Sequence, residues 1–211
     1  MSRPSQQIDQ QLIAAGLALL PETGCAGLSV RKLADRAGVN LGMFHYHFKN
    51  KDNFIRAVLQ HMYEEMFASL QLQADPAHSG IDNLHAALGA LTGFTHRHRR
   101  LLLMLASEAM RGEALPQEFL RANLPRHLGL LARLMRQGQD EGDIIDLPVA
   151  QLLPFVMGAV AGPLLAGAAF ERLPAAPPEL AKLAEHALLS KAALAQRLLL
   201  AMRAFTREAS P

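Results

Sequence analysis

The chain has 211 residues, enough for one or two domains with cores of their own. Hydrophobic residues make up 50% but aromatics only 5%, and Trp is absent, so Ala, Leu and Met carry the apolar content and helices packed on helices are expected, with almost no strand. The net charge of +2 conceals a bias: residues 1–60 hold seven Lys/Arg, from Arg3 to Arg56, against four acids, a balance suited to a polyanionic partner at that end.

Cys25 stands alone, which excludes an internal disulfide framework and suits a reducing cytoplasm. The opening MSRPSQQIDQ lacks a signal-peptide pattern, so a cytoplasmic protein is expected.

In chain order, Ile8, Leu12, Ala15 and Leu19 keep a helical period, predicting a helix over about 6–20 that Pro21 and Gly24 end. Three helix starts then follow within about twenty residues. Ser29 can cap VRKLADRA, with Leu28 and Leu33 as a hydrophobic staple, and Gly38 can close it. Asn40 caps the next helix, with Val39 and Phe44 as its staple, and Asn50 caps a third whose first turn carries Asp52. Only Val39 separates Gly38 from Asn40. Two short helices joined so tightly must cross steeply, the geometry of a helix-turn-helix whose second helix enters the major groove. Phe44 and Phe48 face inward, which leaves Leu41, Gly42, His45 and Tyr46, with Met43 on the flank, facing DNA.

Phe54, Val58, Met62 and Met66 continue a helix over 51–72, which QADPAHSG ends. The expected organisation is a DNA-binding domain over 1–50, a connecting helix over 51–72, and a helical domain over 73–211. Within the latter, helices are predicted near 81–96, 100–111, 116–140, 147–170 and 179–207. Gly112, Gly142 and the Pro-rich stretch 174–178 supply turns, while Pro125, Pro154 and Pro163 should bend their helices. Residues 147–170 hold no charge and are long enough to span a bilayer. Pro148, Gln151, Pro154 and Pro163, with no aromatic belt, argue instead for a buried interface helix and no membrane.

The stretch LSVRKLADRAGVNLGMFHYHFKNKDNFIRAVL resembles the signature of the TetR family of repressors, and the resemblance covers about residues 8–60. It implies an all-α fold with an N-terminal three-helix helix-turn-helix domain and a larger C-terminal helical domain for ligand binding and dimerisation. It also implies a homodimer on a palindromic double-stranded operator, a small-molecule effector, and a four-helix bundle formed by the last two helices of each copy. By position, Arg31 resembles a residue that reaches a base edge, and Ser29 and Lys51 resemble phosphate contacts; Asn40 caps the recognition helix. A helix N-terminus at Lys51 already attracts phosphate. The chain departs from many members in having His45 in place of Tyr and Met43 in place of a small polar residue. Leu41 and Met43 offer apolar contact only, for instance to a thymine methyl.

Outside the motif, Leu194, Leu198, Met202 and Phe205 form one apolar stripe, expected to pair across a two-fold axis. Phe94, Met104, Met110, Phe119, His127 and Met135 are the candidate effector pocket, of a chemistry that favours an apolar or aromatic ligand. The run His96, Arg97, His98, Arg99, Arg100 reads as a second nucleic-acid patch, a metal site or a solvated helix end. Two histidines two residues apart point to different sides of a helix, which favours the last, so no metal and no cofactor is expected. Cys25 lies in the apolar turn TGCAGL, where a packed thiol outweighs a redox switch. A rival function is a DNA-binding or architectural protein without an effector; an all-helical enzyme is disfavoured by the absence of any nucleophile elbow, HExxH or phosphate loop.

Overall fold

The computed structural model describes residues 4–173 and 177–207, with backbone alone at 4–6. Arg3 and residues 174–176 of the Pro-rich stretch lie outside the described residues. Among the described residues, nine α-helices follow in order: α1 Pro4–Gly27, α2 Val30–Ala37, α3 Leu41–Phe48, α4 Lys51–Gln71, α5 Gly80–Met110, α6 Ala114–Asp140, α7 Val149–Phe170, α8 Pro178–Ala184 and α9 Lys191–Phe205. A single π-helical turn, Glu185–Leu189, joins the last two. Extended pairing among the described residues is limited to one isolated bridge between Ile144 and Thr206, so the fold is all-α.

The chain forms two compact units: residues up to Glu65 with Leu103–Ala122, and Met66–Leu102 with the residues from Asn123 onward. Helices α4, α5 and α6 therefore contribute to both.

In the first unit, Leu12, Leu20, Leu33, Phe44, Phe54, Val58 and Leu59 are fully buried. Gly16 lets α1 approach α4: a Cβ there would lie 2.7 Å from Phe54 Cζ and 2.8 Å from Val58 Cγ2. Pro21 does not end α1. The break falls at Gly24, whose φ of 67° and ψ of 177° put it in a region open to glycine at little cost.

In the second unit, α7 buries one stripe, Leu152, Val156, Val160, Leu164 and Ala168. Its other side, including Pro154, Phe155, Gly158 and Phe170, is exposed. The uncharged helix expected to be buried all round is thus covered on one face within the protomer. Of the described helices it is the one long and apolar enough to cross a membrane.

Two expectations for this unit need correction. The helices drawn at 81–96 and 100–111 are one, because the basic run between them holds no helix breaker. The single helix drawn over 179–207 is interrupted at Ser190, which has an extended backbone and whose hydroxyl caps α9 by accepting from Ala193 N at 3.2 Å.

The largest revision concerns the stripe taken for a dimer surface. Leu194, Leu198, Met202 and Phe205 are all buried inside the protomer, where α9 lies against α7 and Leu194 joins Leu164 and Leu189 in one cluster. The large hydrophobic side chains that α9 leaves exposed are Leu199 and Leu200. A stripe at helical spacing marks a face that must be covered, and here the cover is the chain's own α7.

Candidate nucleic-acid interface

Helix α2 begins where Ser29, in an extended conformation, accepts from Lys32 N at 3.4 Å, and it closes at Gly38 in the left-handed conformation, φ 67° and ψ 29°. After one further residue, Asn40 Oδ1 accepts from Gly42 N at 2.8 Å and starts α3. Asn50 Oδ1 accepts from Asn53 N at 2.8 Å and starts α4. All three expected caps are present. The staple residues Leu28, Leu33 and Phe44 are buried.

Three phenylalanines fix the inner face of α3. Ring centroids lie 5.8 Å apart for Phe44 and Phe48, 5.4 Å for Phe44 and Phe54, and 5.0 Å for Phe48 and Phe54, distances at which tilted and edge-to-face rings attract. His47 adds a polar tie, its Nδ1 lying 2.6 Å from Asp9 Oδ1 of α1 with its own side chain only 6% exposed. His47 therefore anchors the helix from behind.

The outer face is free. Leu41, Gly42, His45 and Tyr46 are exposed, Tyr46 at 76%, while Met43 is half-buried at the edge. Arg31 is exposed on α2. Next to α3, Lys49 takes a φ of 65°, uncommon for a non-glycine residue, and closes the helix by donating its N–H to His45 O at 3.1 Å. His45 Nδ1 lies 3.3 Å from Lys49 O. Lys49 is exposed with no ion-pair partner among the described residues, a cation missing from the sequence-derived set although HFKNK contains it.

Lys51 is not simply a free phosphate ligand: its ammonium donates to Ala26 O at 2.8 Å, tying the start of α4 to the α1–α2 junction. The same junction is held from α5. Both carboxylate oxygens of Glu108, buried at 6% exposure, accept from Cys25 N, at 3.1 and 3.4 Å. A side chain at Gly24 would collide with Glu108 Oε1. Burial, reinforced by Glu108, pushes the Cys25 thiol up to about 12, so it stays protonated and is a poor redox switch.

The six pocket candidates are divided between the two units. Met104, Met110 and Phe119 belong to the first unit, where Met104 is buried, Met110 is 82% exposed and Phe119 stacks edge-on with Tyr63. Phe94, His127 and Met135 belong to the second, and burial pushes the His127 imidazole below its ordinary value. Two cavities of the second unit, of about 470 and 700 Å3, are lined by none of the six.

The basic run in α5 is likewise not a solvated helix end. Arg99 reaches Glu171 Oε1 at 2.6 Å and Arg100 reaches Glu171 Oε2 at 2.7 Å, fastening α5 to the end of α7. Burial would raise the Glu171 pKa, but the hydrogen bonds and charges of the two arginines outweigh it and hold the carboxyl below its usual range.

Capped short helices meeting at a glycine turn, with a rigid inner face and an exposed outer one, define a helix-turn-helix, the motif that places its second helix in the major groove of DNA. Comparison with known proteins shows what this region is similar to. Residues 12–58 match the family described as bacterial regulatory proteins, tetR family. Over 158 residues, 74% of this chain and 76% of the relative, the sequence is 25% identical to the HTH-type transcriptional repressor KstR2 of Mycolicibacterium smegmatis. Among solved structures, the ketosteroid transcriptional regulator KstR2 of Mycobacterium tuberculosis superposes with a TM-score of 0.68 at 18% identity, covering 98% of each chain. The transcriptional regulator FadR of Bacillus subtilis, solved in complex with stearoyl-CoA, gives 0.68 at 16% identity, covering 92% of this chain and 97% of its own. The N-terminal part of the chain is thus similar to the DNA-binding region of the TetR family, and the relatives and structural neighbours are named as transcription regulators.

Proposed function

We propose that this chain acts in the cytoplasm as a homodimeric repressor, held on a palindromic operator by α3 and released when a small apolar or aromatic effector binds its C-terminal part. The observation that carries the reading is the two-sidedness of α3: Phe44 is fully buried while Leu41, His45 and Tyr46 stand exposed beside Arg31. Arg31 reads a base edge, and His45 and Tyr46 donate to bases or phosphates. Leu41, Gly42 and Met43 make the close apolar approach. Ser29, Lys49 and Lys51 bind backbone phosphate, Lys51 with the hydrogens its ammonium does not give to Ala26. Asn40 sets where the recognition helix begins.

Dimerisation uses the outward faces of α7 and α9, with Phe155, Leu199 and Leu200 as apolar anchors, because these are large exposed hydrophobic side chains on helices already packed together. The apolar character of the effector draws support from the stearoyl-CoA bound to the FadR neighbour.

Selection of bound fragments from a random DNA pool tests the reading. Enrichment of an inverted repeat with half-site centres about 34–36 Å apart is expected, since two-fold protein symmetry demands it. Recovery of fragments with no common sequence would instead support an architectural DNA-binding protein.

A further inference from the structure

The second unit carries a groove between α5 and α9 with a volume of about 700 Å3, within the range of small-molecule sites. Its two ends differ in chemistry. At one end α5 contributes Gly89 and Gly93, and α9 contributes Leu194 and Leu198. A Cβ on Gly93 would meet nothing within 4 Å, and one on Gly89 would meet only Leu198 Cδ2, at 3.8 Å. The glycines are therefore not required by the packing of the protomer; they leave the groove open. At the other end stand His96, Arg97 and Arg99 of α5 and Lys191, the first residue of α9.

Among the described residues, no Asp or Glu lines this groove. Glu171 offsets the charge of Arg99 from outside it. Arg97 and Lys191 have no ion-pair partner among the described residues, and the positive end of the α9 dipole adds to their field. From Gly89 to Arg99 the α5 axis advances about 15 Å, so the apolar and cationic ends lie roughly the length of a small lipid-like molecule apart.

We infer that this groove binds an amphipathic carboxylate, its head group between Arg97, Lys191 and His96 and its apolar body over Gly89 and Gly93 against Leu194 and Leu198. The inference rests on reading the second unit as the effector-binding part of the regulator and gives that effector a charge: a hydrocarbon bearing one acidic head, rather than a wholly apolar molecule. A neutral molecule of the same body would leave Arg97 and Lys191 unneutralised and gain only the apolar burial.

The test is calorimetric titration of the intact protein with sodium decanoate and with decan-1-ol. Decanoate should bind once per chain and at least tenfold more tightly than the alcohol. Gly93→Met, which fills the floor from an open helical position, should abolish binding while leaving the circular dichroism and melting temperature intact. Lys191→Glu, on an exposed side chain, should weaken decanoate at least tenfold and the alcohol not at all. Absence of decanoate binding, equal affinity for acid and alcohol, or unchanged binding by Gly93→Met would each overturn the inference. Operator affinity is read separately. Decanoate bound without effect on DNA leaves the groove standing and refutes its role as effector site. Another compound that releases DNA while decanoate fails to bind refutes the groove alone.

Discussion

The helix-turn-helix and the C-terminal unit differ in what holds them. The first is written in neighbouring residues: Ser29, Asn40 and Asn50 cap helices within three residues of themselves, and Gly38 turns the chain by its own conformation. The second depends on partners far away in sequence, such as Arg99 on Glu171, 72 residues on, and Leu194 in one cluster with Leu164. Where interactions are local, composition and spacing foretell both the element and its exposed face. Where they are remote, spacing foretells only that a face must be covered.

The largest effect that would break this contrast lies in α3. Phe44→Ala should cost about 3–5 kcal/mol, because the ring touches both Phe48 and Phe54 and leaves a cavity. Urea unfolding together with operator binding measures it. A variant that retained its stability would remove the aromatic cluster as the support of the recognition helix.

A paired substitution on α9 sharpens the contrast further. Leu198→Ala, inside the protomer, should destabilise by about 2–5 kcal/mol. Leu199→Asp, one residue on and 46% exposed, should change monomer stability by only about 0.5 kcal/mol yet shift the protein to monomers in sedimentation. Leu199→Asp remaining dimeric would place the interface elsewhere.

At the α1–α2 junction, Glu108→Ala should cost about 1–3 kcal/mol by leaving Cys25 N–H without its acceptor, whereas Glu108→Gln keeps a carbonyl there and should cost less. Equal losses from the two would show that the charge, not the acceptor, holds the junction.

The smallest expected effect is a dependence on pH. His127 and Glu171 both have folded-state pKa values below their ordinary 6.5 and 4.5, the first through burial and the second because Arg99 and Arg100 outweigh burial. In each case the unfolded chain binds the proton more readily, so stability falls as pH drops. The His127 contribution goes as pH falls below 6.5 and the Glu171 contribution as it falls below 4.5 toward the folded value. His127→Gln should flatten the upper part of the stability profile and Glu171→Gln the lower. A profile unchanged in either variant would deny that residue its share.

These differences also explain what was legible in the sequence. The caps, the glycine turn and the inward Phe44 and Phe48 were readable because each acts on residues within a turn or two of itself. For Lys51 the sequence suggests a phosphate contact, and nothing near it in sequence announces that Ala26 O, 25 residues back, takes one of its hydrogens. The basic run in α5 was read as a helix end because Glu171 is remote, and the stripe on α9 as an external surface because α7, which covers it, is itself uncharged and offered no contrast. The break at Ser190 did have a local signal, a serine three residues before Ala193 N, obscured by the apolar run on either side. The scattered Met and Phe carried no such signal, since a core methionine and a pocket methionine have the same sequence context.

The central claim, that the exposed side of the helix-turn-helix reads base sequence, is tested most directly by Arg31→Ala, titrated with salt on the selected operator and on scrambled DNA. The account predicts a loss of about 1–3 kcal/mol per half-site on the operator, relaxed preference at one symmetric pair of positions, and a much smaller change on scrambled DNA. Lys49→Ala in the same assay should weaken both DNAs alike and make the salt dependence shallower by roughly one unit of slope per lost contact. If Arg31→Ala lowered both affinities equally and left base preference intact, Arg31 would be a phosphate contact, and the assignment of sequence reading to this face would be contradicted.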